Sequence, residues 1–100
     1  MPMRVLRVAP TPLRESRISA LEAALGSDLE ITPVRPCTTA ELMRLVARAR
    51  PDAVVLDAAP GVDPEALAAV GARVLRPSFG RRRNTRREVE EHFVGYQLVS

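Results

Sequence analysis

The run Ala53-Val54-Val55-Leu56 constrains the fold more than any other feature of the chain: four apolar residues in succession, bounded by Pro51-Asp52 before and Asp57 after. A strand without polar alternates is covered on both faces, and a parallel sheet flanked by helices provides that cover. The chain therefore needs helices on two sides of a sheet. Its 100 residues hold one core and one domain, residues 1–100.

The neighbouring segments supply the other elements. Arg4 to Ala9 alternates and stops at Pro10, which marks a first strand. Two helix starts follow: Thr11 as N-cap with Pro12 in the first turn, or Ser19-x-x-Glu22 as a capping box. Ile18, Leu21 and Leu25 share one helical face, and Gly26 supplies the stop. Leu29 to Val34 is a second strand, ended by Pro36. Thr38-x-x-Glu41 opens a helix with Leu42, Leu45, Val46 and Ala49 as its apolar stripe.

Ala53 to Leu56 follows Pro51 as the central strand, and Asp63-Pro64-Glu65 starts a short helix that ends near Gly71. Ala72 to Leu75 reads as the fourth strand. Thr85-x-x-Glu88 is a further capping box, predicting a helix that carries Val89 and Phe93 on one face and ends at Gly95. Tyr96 to Val99 is then a short fifth strand. Strand and helix alternate four times over short connections, which predicts a three-layer, Rossmann-like α/β domain. Its sheet is mostly parallel, with four or five strands and helices on both faces.

Composition narrows the function. Apolar residues at 46% and charged residues at 27% are ordinary for a globular protein. No run approaches the roughly 18 to 20 apolar residues of a membrane span, and the start carries no signal-peptide pattern, so a cytoplasmic protein without membrane contact is expected. One cysteine, Cys37, and one histidine, His92, leave no disulfide and no cysteine-rich zinc site. All 15 basic residues are arginine, and the net charge is +3.

In open α/β sheets, ligands bind beyond the carboxyl ends of the strands. The segments read as loops there carry Thr11, Arg14 and Ser16, then Arg35, Cys37, Thr38 and Thr39, then Asp57. After the fourth strand come Arg76, Ser78, Gly80, Arg81, Arg82, Arg83 and Asn84. Guanidinium forks beside helix N-termini hold phosphate or carboxylate. The expected ligand site is therefore Arg14, Arg35, Thr38, Asp57, Arg76, Ser78, Arg81, Arg82, Arg83 and Asn84. Its expected ligand is a small anion bearing phosphate.

Other chemistry finds little material. Pro51 to Asp57 with Pro60-Gly61 resembles the phosphoacceptor strand of response-regulator receiver domains, but Ala9-Pro10-Thr11 lacks the acidic pair that holds magnesium there, and lysine is absent. An active receiver is not expected on these residues, and Asp57 is expected to pair with arginine or to cap a turn. Cys37 precedes a helix N-cap, a position that can lower a thiol pKa. A phosphate-loop phosphatase needs arginine six residues after its cysteine, and position 43 is methionine. Gly61, Gly71, Gly80 and Gly95 are isolated, so no glycine-rich phosphate loop occurs. No catalytic residue, metal or cofactor is predicted.

End to end, the chain resembles the N-terminal, substrate-binding domain of D-2-hydroxyacid dehydrogenases. The similar stretches are the opening strand with its proline, Thr39-Ala40-Glu41-Leu42, Asp52-Ala53-Val54-Val55, Asp63 to Leu67, and Val89-Glu90-Glu91-His92-Phe93-Val94-Gly95. The resemblance implies a flavodoxin-like fold. Dehydrogenase activity is not expected of this chain alone, because that family's catalytic residues lie in its dinucleotide-binding domain, which these 100 residues do not include.

Two classes of function fit these residues. One is a binding or regulatory module for an anionic ligand at the carboxyl edge of the sheet. The other is an interaction module: a homodimer through the Val89/Phe93 face or the Tyr96 to Val99 strand, or a nucleic-acid binder using the arginine cluster. Nucleic acid ranks lower because only Phe79 flanks the arginines, and three aromatic residues are too few for a stacking platform.

Overall fold

The computed structural model describes residues 1–83 and 89–99, with the backbone alone at 82–83 and 89–91. Eight elements follow one another: β1 (Met3–Val8), α1 (Glu15–Leu25), β2 (Leu29–Val34), α2 (Thr39–Ala49), β3 (Ala53–Leu56), α3 (Pro64–Ala69), β4 (Val74–Arg83) and β5 (Val89–Leu98). The strands form one sheet in the order β2-β1-β3-β4-β5. The first four run parallel and β5 runs antiparallel to β4. This order is that of flavodoxin-like doubly wound sheets.

Alternation along β3 explains the three layers. Val54 and Leu56 face one side, where they pack with Val8, Val74, Leu42 of α2 and Leu67 of α3. Ala53 and Val55 face the other, with Val5, Leu75 and Leu21 of α1. All four residues of β3 are buried, as its continuous apolar run requires.

Local signals set several boundaries. Thr38 and Glu41 form the reciprocal capping box at the start of α2, and Asp63 caps α3 ahead of Pro64. Gly26 ends α1 with φ 110°, in the region glycine favours. The start of α1 departs from expectation: Arg14 is its N-cap, and neither Thr11 nor Ser19 caps it. Arg7 Nη1 donates to the Thr11 carbonyl at 2.7 Å, which holds the segment before Arg14 on the sheet. Ser19 then falls inside the helix.

The larger correction concerns the C-terminal third. The helix expected to carry Val89 and Phe93 is strand β5, and the strand expected at Ala72 to Leu75 runs from Val74 to Arg83. Strand and helix therefore alternate three times, and a hairpin closes the fold. The Thr85-x-x-Glu88 capping box lies outside the described residues. A four-residue spacing is even, so Val89 and Phe93 share a face in a strand as they do in a helix. Pairing with β4 decided between them: the backbone register runs from Leu75 opposite Leu98 to Arg83 opposite Val89. Gly95, expected to stop a helix, has φ 147° and lies beside a register shift at Ser78/Phe79.

Because β4 pairs with β3 only through Val74 and Leu75, from Arg76 onward it has β5 as its one neighbour among the described residues. The hairpin therefore extends past the carboxyl ends of β1 and β3. No described helix is long and apolar enough to cross a membrane.

Candidate functional site

The site begins with a charged residue inside a buried strand. Arg7 sits on the α1 side of β1 between buried neighbours and is itself 5% exposed. A guanidinium removed from water requires a partner. Asp57, directly after β3 and equally buried, supplies it: its backbone N–H donates to the Val8 carbonyl, and its Oδ2 accepts from Arg7 Nε at 2.8 Å. Asp57 therefore pairs with arginine.

Two further elements converge on the same carboxylate. Tyr96 of β5 donates its hydroxyl to Oδ2 at 2.5 Å, and Arg17 in the first turns of α1 places Nη1 3.3 Å from Oδ1. Burial first, then the hydrogen bond to Asp57 and the charge of that carboxylate, push the Tyr96 phenol up to about 12. The phenol is thus held as a neutral donor. Arg17 also stacks on the Phe93 ring, its Cζ 3.7 Å from the centroid. Phe93 meets Tyr96 and Phe79 edge to face, with centroids 5.1 and 6.1 Å away.

Above this network lies a cleft of about 520 Å³. It opens beyond β1 and β3, the two strands from which the chain proceeds to opposite sides of the sheet, which is the switch point where such folds take ligands. Arg7, Asp57 and Ala58 line it from the sheet, and Thr11, Pro12, Arg14, Ser16 and Arg17 from the loop and start of α1. Pro77, Phe79 and Phe93 line it from the hairpin. Among the described lining residues there are three arginines and one carboxylate, an excess of positive charge. Arg14 is exposed and makes no ion pair among the described residues.

Of the residues expected at the site, Arg14 and Asp57 line this cleft. Arg35 follows β2, exposed and outside the lining. Thr38 is engaged in the cap of α2, which packs on the opposite face of the sheet. Arg76 and Ser78 belong to β4, where alternation turns them from the face of Pro77 and Phe79. Arg81, Arg82 and Arg83 are strand residues rather than a loop, because they pair with β5. Asn84 lies outside the described residues, as do the side chains of Arg82 and Arg83.

Sequence reasoning missed Arg7, Arg17 and Tyr96, and did not place Phe79 or Phe93 at the cleft. One signal for Arg7 was available: an arginine flanked by Val5, Leu6 and Val8 in a strand demands a buried counter-charge. Arg17 and Tyr96 carry no comparable mark.

Cys37 is half-buried against the α2 side of the core, and burial with the nearby Glu41 charge raises its thiol pKa rather than lowering it. Among the described residues no group of three His, Cys, Asp or Glu side chains is placed to hold a metal ion. No protein-family model, curated protein or solved structure matches the chain.

Proposed function

We propose that this domain is a binding module for a small anionic molecule held in the switch-point cleft. The excess of arginine over carboxylate in that cleft carries the proposal. Arg7 and Arg17 share the one Asp57 carboxylate, so together with Arg14 they bring two positive charges more than the described lining residues balance. Arg17 contacts Asp57 only at 3.3 Å, with about a quarter of its side chain exposed, and a ligand anion reaches it without breaking the Arg7 pair. Thr11 and Ser16 add hydroxyls at the rim. A cleft of this size lies in the range of small-molecule sites.

Thermal unfolding of the whole chain at low salt tests this. The panel is inorganic phosphate, pyrophosphate, mononucleotides and simple carboxylates, with 2-hydroxy acids added because of the resemblance to D-2-hydroxyacid dehydrogenases. At least one anion is expected to raise Tm in proportion to the logarithm of its concentration, and Arg14→Gln to remove most of that rise. Flat Tm values across the panel at millimolar concentration overturn the proposal.

A second function has its own observation. β5 is an outer strand of the sheet and exposes Val94 and Leu98, at 57% and 59%. Edge strands of this kind pair with other chains, and a second copy is the simplest partner. Light scattering at micromolar concentration checks it: a mass of twice 10.9 kDa supports the homodimer and a strict monomer removes it.

A further inference from the structure

We infer that the anion taken by the cleft carries an aromatic ring, and that Phe79 is the surface on which this ring stacks. The inference rests on the anion-binding function just proposed and names the class of molecule that would fill the same site.

The aromatic residues of the cleft are not equivalent. Phe93 is occupied: Arg17 covers its ring at 3.7 Å, and Tyr96 and Phe79 approach it edge to face. Phe79 is different. It is 51% exposed and lines the cleft; among the described residues its one aromatic neighbour is Phe93, edge to face, and the Arg17 guanidinium stands off its ring at 6.0 Å rather than the 3.7 Å at Phe93. A large apolar side chain open to water at the mouth of a charged cleft is a surface awaiting cover.

Phe79 also stands close to the charge. The Arg17 guanidinium carbon lies 6.0 Å from the Phe79 centroid. One small molecule therefore reaches both without a long linker, its ring against Phe79 and its anionic group on Arg17 and Arg14. Pro12 and Pro77 add rigid apolar surface to the same lining. An anion without a ring satisfies the arginines and leaves Phe79 wet. A neutral aromatic covers Phe79 and leaves the arginines unbalanced. An aryl phosphate or aryl carboxylate answers both.

The experiment compares phenyl phosphate, cyclohexyl phosphate, inorganic phosphate and benzoate by isothermal titration calorimetry on the whole chain. Phenyl phosphate is expected to bind about five-fold or more tightly than cyclohexyl phosphate, the range that ring stacking supports beyond apolar burial. Phe79→Leu is expected to erase that preference and leave inorganic phosphate binding unchanged. Benzoate tells whether phosphate or carboxylate is the preferred head group, and benzoate binding that weakens in Phe79→Leu supports the inference equally. In the unsubstituted protein, phenyl protons of the ligand are expected to show nuclear Overhauser contacts to the Phe79 ring. Equal affinity for phenyl and cyclohexyl phosphate overturns the aromatic inference while the anion site stands. Absence of binding by all four probes overturns both.

Discussion

Arg7 Nε and Asp57 Oδ2 lie 2.8 Å apart with both side chains about 6% exposed, joining the carboxyl ends of two central strands whose residues are fifty apart in sequence. This pair forms the floor of the cleft, and Tyr96 and Arg17 are placed by the same carboxylate. It ties the loop before α1 to the sheet as well, through Arg7 and the Thr11 carbonyl.

The pair sets up an asymmetric stability response. Asp57→Ala leaves the Arg7 charge buried without a counter-charge, and a loss of about 3–5 kcal/mol is expected in urea unfolding. Replacing both partners by apolar residues, Arg7→Met with Asp57→Leu, is expected to cost less than Asp57→Ala alone. The double-mutant cycle then shows a coupling well above the few tenths of a kcal/mol found between independent sites. Additive losses from the two single substitutions contradict the buried pairing.

Tyr96 predicts alkaline behaviour. Its phenol is pushed up from 10.0 to about 12, so the folded protein holds this proton where the unfolded chain releases it. The resulting stabilisation is complete below about pH 10 and is lost as pH rises through about 12. Tyr96→Phe is expected to flatten the decline in stability across that window. Tyr96 is the one tyrosine and tryptophan is absent, so near-ultraviolet absorbance follows the titration directly. A midpoint near 10 contradicts the burial of the phenol against Asp57.

The cap of α2 predicts an acid-side effect. The Thr38 hydroxyl accepts from the Glu41 N–H at 3.2 Å, and the Glu41 carboxylate accepts from the Thr38 hydroxyl and backbone N–H. Those two hydrogen bonds, aided by the Arg44 charge, lower the Glu41 pKa below 4.5. The stabilisation they give is present above that unfolded value and is lost as pH falls through the lowered one. Thr38→Ala is expected to cost about 1 kcal/mol at neutral pH. It should also move the Glu41 titration upward in NMR spectra, and an unchanged titration contradicts the capping box.

Much of the scaffold was legible because its signals are local. The apolar run of β3, the Thr38/Glu41 box and the Asp63-Pro64 start each lie within a few residues, and the structure keeps all three. The hairpin was not legible. Arg81 to Arg83 read as a loop and Val89 to Gly95 as a helix, since spacing alone does not distinguish a strand from a helix when both put the same residues on one face.

The sequence by itself determined a sheet covered on both faces, the helices that cover it, and a cleft region containing Arg14 and Asp57. Only the tertiary structure decided what Asp57 does. Arg7, Arg17 and Tyr96 come from β1, α1 and β5, and no short segment of the chain contains two of the three elements involved. Arg7 meets Asp57 through the parallel pairing of β1 with β3, and Tyr96 joins them only through the antiparallel return of β5, whose place is set by contacts with β4 and α1 rather than by its own residues alone.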